Sequence, residues 1–125
     1  MDSKKKKVLL IDDDEMVIEL VKASLHGSEF EILTALEGER GIEEARKTKP
    51  DVILLDIMMP NLDGLTTCNY LKKIPETQNI PIIFLSAKKT EVGQKVAINV
   101  GASDYIIKPF DPEDLLIRLR KAVIT

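Results

Sequence analysis

Three short runs, Val8-Leu9-Leu10-Ile11, Val52-Ile53-Leu54-Leu55 and Ile82-Ile83-Phe84-Leu85, are apolar at every position. A strand with one wet face alternates polar and apolar residues. These runs do not, so both of their faces must be covered, as in a parallel sheet between layers of helices. Two weaker strand candidates join them, Glu31-Ile32-Leu33-Thr34 and Asp104-Tyr105-Ile106-Ile107.

Helical repeats lie between the runs. A stripe of Met16, Val17, Leu20, Val21 and Leu25 predicts a helix over 15–26. Ile42 and Ala45 face inward from 38–47. Leu65, Cys68 and Leu71 mark 64–73, which Pro75 closes. Val92, Val96 and Val100 mark 90–100, with Gly101 placed as its C-cap. Leu115, Leu116, Leu119 and Val123 mark 112–123, with Asp111 as N-cap and Pro112 as first helical residue. Five βα units in succession imply an α/β domain with right-handed crossovers and helices on both faces. The 125 residues fit a single domain over 1–125.

Composition narrows the function. A net charge of -3 argues against binding nucleic acid through bulk electrostatics. The run Lys4–Lys7 reads as a solvated lead into the first strand, ahead of a phosphate- or membrane-binding arm. Cys68 is the only cysteine, which excludes an internal disulfide and fits a reducing compartment. Neither a signal peptide nor an 18-residue apolar span is evident, so a cytoplasmic location is expected, with no membrane among the partners.

In an open α/β sheet, ligands bind beyond the carboxyl ends of the strands. Asp12, Asp13 and Asp14 follow the first run, Asp56 the third, Ser86 the fourth and Lys108 the fifth. The second strand ends in Thr34 and Ala35, as an edge strand away from the site would. Carboxylates about 4 Å apart repel by about 1 kcal/mol in water and about 4 kcal/mol at an effective dielectric near 20. Such a rim shifts a pKa or recruits a cation. Oxygen-only donors suit Mg²⁺, which favours phosphate partners. Lys108 and the Ser86 hydroxyl complete a phosphate-sized site, and an aspartate can be the nucleophile of an aspartyl phosphate.

The stretches LLIDDDEMV, VILLDIMMPNLDG, PIIFLSA and GASDYIIKPF resemble the motifs of the response-regulator receiver domain of two-component signalling, over residues 6–123. The resemblance implies a doubly wound (βα)5 flavodoxin-like fold, with a five-stranded parallel sheet of order 2-1-3-4-5 flanked by five helices. It implies that Asp56 takes a phosphoryl group from a sensor histidine kinase or phosphotransfer protein. Asp12 and Asp13 match the acidic pair. Asp13, Asp56 and the backbone carbonyl of Met58 match the contacts to Mg²⁺, for which Mn²⁺ can substitute. Ser86 and Lys108 match the groups that bond phosphoryl oxygens, with Ser86 in place of the commoner threonine. Tyr105 matches the switch aromatic that moves with Ser86. A cis Lys108-Pro109 peptide bond is also implied.

Other residues mean less. His26 stands at the end of the first helix, and Cys68 and Met59 read as packing residues. Asp14 reads as the cap of the first helix. Met58 and Lys88, two residues beyond Asp56 and Ser86, flank the path of a hydrolytic water. A thioether and an ammonium cannot activate that water, which predicts slow loss of the phosphoryl group. A haloacid-dehalogenase-like phosphatase acting through Asp12 is the enzymatic alternative, and an unphosphorylated pseudo-receiver scaffold is the other. The first reading is not an enzyme with a free substrate. Its output surface comprises residues 90–100, 104–107 and 112–123. A monomer is expected before phosphorylation, with an activation-dependent dimer or partner complex through Asp104, Asp114 and Arg118. The downstream target is not named by any residue.

Overall fold

The structure is a computed structural model that describes residues 5–87, 96 and 98–124. In chain order the elements are β1 (Lys6–Ile11), α1 (Glu15–Leu25), β2 (Phe30–Ala35), α2 (Gly38–Thr48), β3 (Val52–Asp56), α3 (Gly64–Lys73), β4 (Ile82–Ser86), β5 (Asp104–Ile107) and a last helix, here α4 (Pro112–Ile124). The strands form one parallel sheet of order β2-β1-β3-β4-β5. The three apolar runs are its interior strands, which is why none of them could alternate.

Each interior strand sends successive side chains to opposite layers. Val8, Leu10, Leu54, Ile83 and Leu85 meet α1 and α4 on one face. Leu9, Ile11, Ile53, Leu55 and Phe84 meet α2 and α3 on the other. All of these strand residues are fully buried.

The helix starts follow their caps. Asp14 accepts the Met16 amide at 2.9 Å and Asp63 accepts the Thr66 amide at 2.8 Å. At α4 the Glu113 amide reaches Asp111 at a longer 3.4 Å. The expected inward positions of α2, α3 and α4 hold: Ala45, Cys68, Leu71, Leu115 and Leu119 are buried, while Ile42, Leu65, Leu116 and Val123 pack at the core margins.

The stripe expected on α1 needs correction. Val17, Ile18, Val21 and Leu25 are buried, whereas Met16 is 74% and Leu20 54% exposed. Apolar residues at 16, 17, 18, 20, 21 and 25 span too wide an arc for one helix face to bury. The helix lays its β-branched residues on the sheet and leaves Met16 and Leu20, one turn apart, in solvent.

The expected helix over 90–100, with Val92, lies largely outside the described residues. Its close is visible: Gly101 adopts φ +101° and its amide donates to Ile98 at 3.0 Å, the left-handed cap that glycine permits. No helix among the described residues is long and apolar enough to cross a membrane.

Candidate functional site

Sheet register brings the strand ends into one line. Ile11 is level with Leu55, Asp56 with Leu85, and Ser86 with Ile107. The ladder runs one residue further at two places: the Asp12 amide donates to Ala35 at 3.1 Å and the Lys108 amide to Ser86 at 2.8 Å. Asp12, Asp56, Ser86 and Lys108 are therefore held by main-chain bonds at the carboxyl edge of the sheet.

Asp12, Asp56 and Ser86 are buried, Lys108 is partly buried and Asp13 is exposed. One carboxylate oxygen from each of Asp12, Asp13 and Asp56 falls within a group whose members all lie within 4.8 Å of one another. Lys108 closes the site. Its ammonium donates to Asp12 Oδ2 at 3.0 Å and to Asp56 Oδ1 at 3.4 Å. The other Asp12 oxygen accepts the Asp14 amide at 2.9 Å, which ties the acidic loop down.

Burial and the adjacent Asp12 charge push the Asp56 carboxyl up to about 6. Lys108 and the Met58 backbone amide act in the opposite direction. A carboxylate in this environment is under-compensated. Three converging carboxylate oxygens without nitrogen or sulfur donors match a hard divalent cation such as Mg²⁺. The residues present therefore fit that ion.

The sequence-predicted residues meet here with three qualifications. Tyr105 is half-buried against the α2/α3 core, level with Phe84 and two strand positions short of Ile107, the residue level with Ser86. The Met58 side chain is 58% exposed. Lys88 lies outside the described residues. Asp14 caps α1, Met59 is buried in the core, and the Cys68 thiol, pushed up to about 11 by burial, is a packing group. The Lys108-Pro109 peptide bond is cis, as implied.

Sequence reasoning missed Gly64. Its amide donates to the Ile57 carbonyl at 2.9 Å, folding the loop after Asp56 back on itself. A Cβ at Gly64 would meet the Asp56 carbonyl oxygen and lie 2.7 Å from Ile57 Cα, both backbone atoms that cannot rotate away. The Asp-Gly pair at 63–64 was the available signal, since an N-cap followed by glycine brings a helix start close to a strand end. Gly64→Ala should lower stability by about 2 kcal/mol, the usual scale of overpacking. It should also slow phosphoryl uptake, because relief requires moving Asp56. Urea denaturation beside a labelling assay checks both, and unchanged values in the two would contradict this account.

Comparison with known proteins gives the same picture. The chain is 36% identical over 115 residues to the alkaline phosphatase synthesis transcriptional regulatory protein PhoP of Bacillus subtilis, covering 92% of this chain and 47% of that protein. It thus spans about half the length of that curated relative. The solved structure of Vibrio cholerae chemotaxis protein CheY4 superposes with a TM-score of 0.88 at 29% identity, covering 94% of this chain and 98% of that one. The BeF3-activated N-terminal receiver domain of Klebsiella pneumoniae RstA gives a TM-score of 0.86 at 33% identity, covering 96% and 100%. The model of the response regulator receiver domain matches residues 8–120, and the chain belongs to that family, the receiver module of two-component signalling.

Proposed function

We propose that Asp56 is the phosphoacceptor. The observation that carries this reading is the facing of the Asp12, Asp13 and Asp56 oxygens by Lys108 at the sheet edge. An Asp56 oxygen attacks the phosphorus of a phosphohistidine on a sensor histidine kinase or phosphotransfer protein. The O–P bond forms as the P–N bond breaks, and the imidazole nitrogen leaves with its proton restored from solvent. Lys108 turns from Asp12 and Asp56 toward the incoming oxygens, and the Ser86 hydroxyl bonds another. Asp12, Asp13, Asp56 and the Met58 carbonyl would hold Mg²⁺, which would supply positive charge to offset the approach of an anion to carboxylates. Mn²⁺ satisfies the same donors.

The chain is thus a switch that performs its own transfer and slow dephosphorylation, without turnover of a free substrate. Residues 1–125 form one such unit, acting in the cytoplasm, where a lone thiol stays reduced. Ser86 and Tyr105 carry the change to the surface of β5 and α4. On that surface Arg118 bonds Asp104 at 2.6 Å and Asp114 at 3.0 Å. A dimer formed on activation would re-pair these groups. The exposed Met58 thioether gives an attacking water no strong acceptor, in keeping with a long-lived phosphoryl state.

Phosphoramidate labelling with Mg²⁺, followed by mapping of the modified residue, is the deciding experiment. One phosphoryl group on Asp56 is expected. Modification of Asp12 would turn the assignment toward a phosphatase, and no modification would make the chain a pseudo-receiver.

A further inference from the structure

The charges at the ends of the described helices are sorted by pole. Every described helix follows the carboxyl end of a strand, so all helix starts share the rim of Asp56 and all helix ends share the opposite pole. Acidic residues stand in the first turns: Glu15 in α1, Glu39 in α2, Glu113 and Asp114 in α4. Basic residues stand in the last turns: Lys22, Arg46 and Lys47, Lys72 and Lys73, Lys121. Such placement complements each helix dipole, and the parallel topology adds the helices together. The lysines at the start of β1 lie outside any helix and enlarge the basic pole beyond what the dipoles call for.

Three adjoining hollows cover this pole. One is lined by Lys5, Lys6, Lys7 and Lys49 with Glu31 and Asp51, four ammonium groups against two carboxylates. The next shares Asp51 and adds Lys72 and Ser103. The third continues through Ser103 to Arg118 and Lys121. Most remaining carboxylates here are engaged: Glu29 by a two-pronged bond from Arg120, Glu76 by Arg46, Asp104 by Arg118. Among the described residues Lys5, Lys6, Lys47, Lys49, Lys73 and Lys121 make no ion pair.

We propose, against the sequence expectation of no membrane among the partners, that this basic pole docks on an anionic lipid surface, holding the Asp56 rim outward. The groups are mostly lysines spread over an end face, which suits a diffuse sheet of headgroup charge. A duplex groove would call for arginine forks or a protruding helix. The net charge of -3 opposes long-range attraction to an anionic surface, so docking depends on how far the acidic rim lies from it. Six residues of β1 separate the poles by about 20 Å, more than twice the Debye length of about 8 Å at physiological salt, so the acidic rim is screened from a surface that the lysines touch.

Vesicle co-sedimentation of the 125-residue chain tests this. Phosphatidylcholine vesicles with about a third phosphatidylglycerol should bind at 50 mM salt, and pure phosphatidylcholine should not. Binding should fall steeply by 300 mM salt. The triple variant Lys5→Glu, Lys6→Glu, Lys49→Glu should partition at least about tenfold more weakly, as the loss of several surface lysines implies. Arg40→Glu, on the rim half of α2, should bind as the parent does. Absence of binding to the anionic vesicles, or binding that survives the triple variant, would overturn the proposal. So would displacement of vesicle-bound protein by duplex DNA of equal charge concentration.

Discussion

Asp56→Asn should abolish phosphoryl labelling and, in the same protein without divalent cations, raise stability. The two effects share a cause. Asp56 is buried, Asp12 lies beside it, and together these push its carboxyl from an ordinary value of 3.8 to about 6. The folded protein therefore holds the Asp56 proton more tightly than the unfolded chain does. Stability from this group is greatest below pH 4, declines as pH rises through the interval from 4 to 6, and is lost above it. A difference of about two pH units corresponds to about 3 kcal/mol at neutral pH. Asparagine imitates the protonated acid and escapes this loss. In EDTA at pH 7.5 the variant should melt about 10 °C above the parent, and near pH 4 the two should converge. A variant less stable than its parent at pH 7.5 would mean that Asp56 is better compensated than its surroundings indicate. Retained labelling would mean that another residue accepts the phosphoryl group.

That the same residue is a liability in the fold and the centre of the site explains what could be read from the chain. Three doubly covered strands gave the interior of the sheet, and their alternation with helices gave its parallel sense and shared polar edge, while the two edge strands rested on weaker patterns. The converging carboxylates were legible because strand ends in such a sheet must share one edge. Surfaces were less legible. Six apolar positions on α1 left its rotation undetermined until the sheet chose Ile18 over Met16 and Leu20. Gly64 was easily passed over because its role is an approach between two backbones, signalled only by the Asp-Gly pair and by no side-chain pattern. Lys108 was expected to bond a phosphoryl oxygen, and its position nearer Asp12 than Asp56 is an outcome of geometry between residues 96 positions apart that no pattern recorded.

The Lys108 placement yields the other large effect. Lys108→Met keeps the length of the side chain and removes its ammonium. Asp12, fully buried, and Asp56, nearly so, would then face each other with their shared cation gone. Breaking a buried pair from one side costs about 3–5 kcal/mol, because the remaining charge is left uncompensated. Here Asp56 can escape part of that cost by taking up a proton, so a loss of about 2–3 kcal/mol is expected at pH 7.5 in EDTA. The loss should shrink on acidification, since protonation of Asp56 removes one of the opposed charges. A divalent cation should also relieve it. If Mg²⁺ takes the oxygens that the ammonium now bonds, removing Lys108 should tighten Mg²⁺ binding and slow phosphoryl acceptance. Denaturation at several Mg²⁺ concentrations separates these effects: the parent should gain little and the variant much, by ordinary linkage between binding and folding. Equal gains in the two proteins would show that Lys108 and the cation do not share a site.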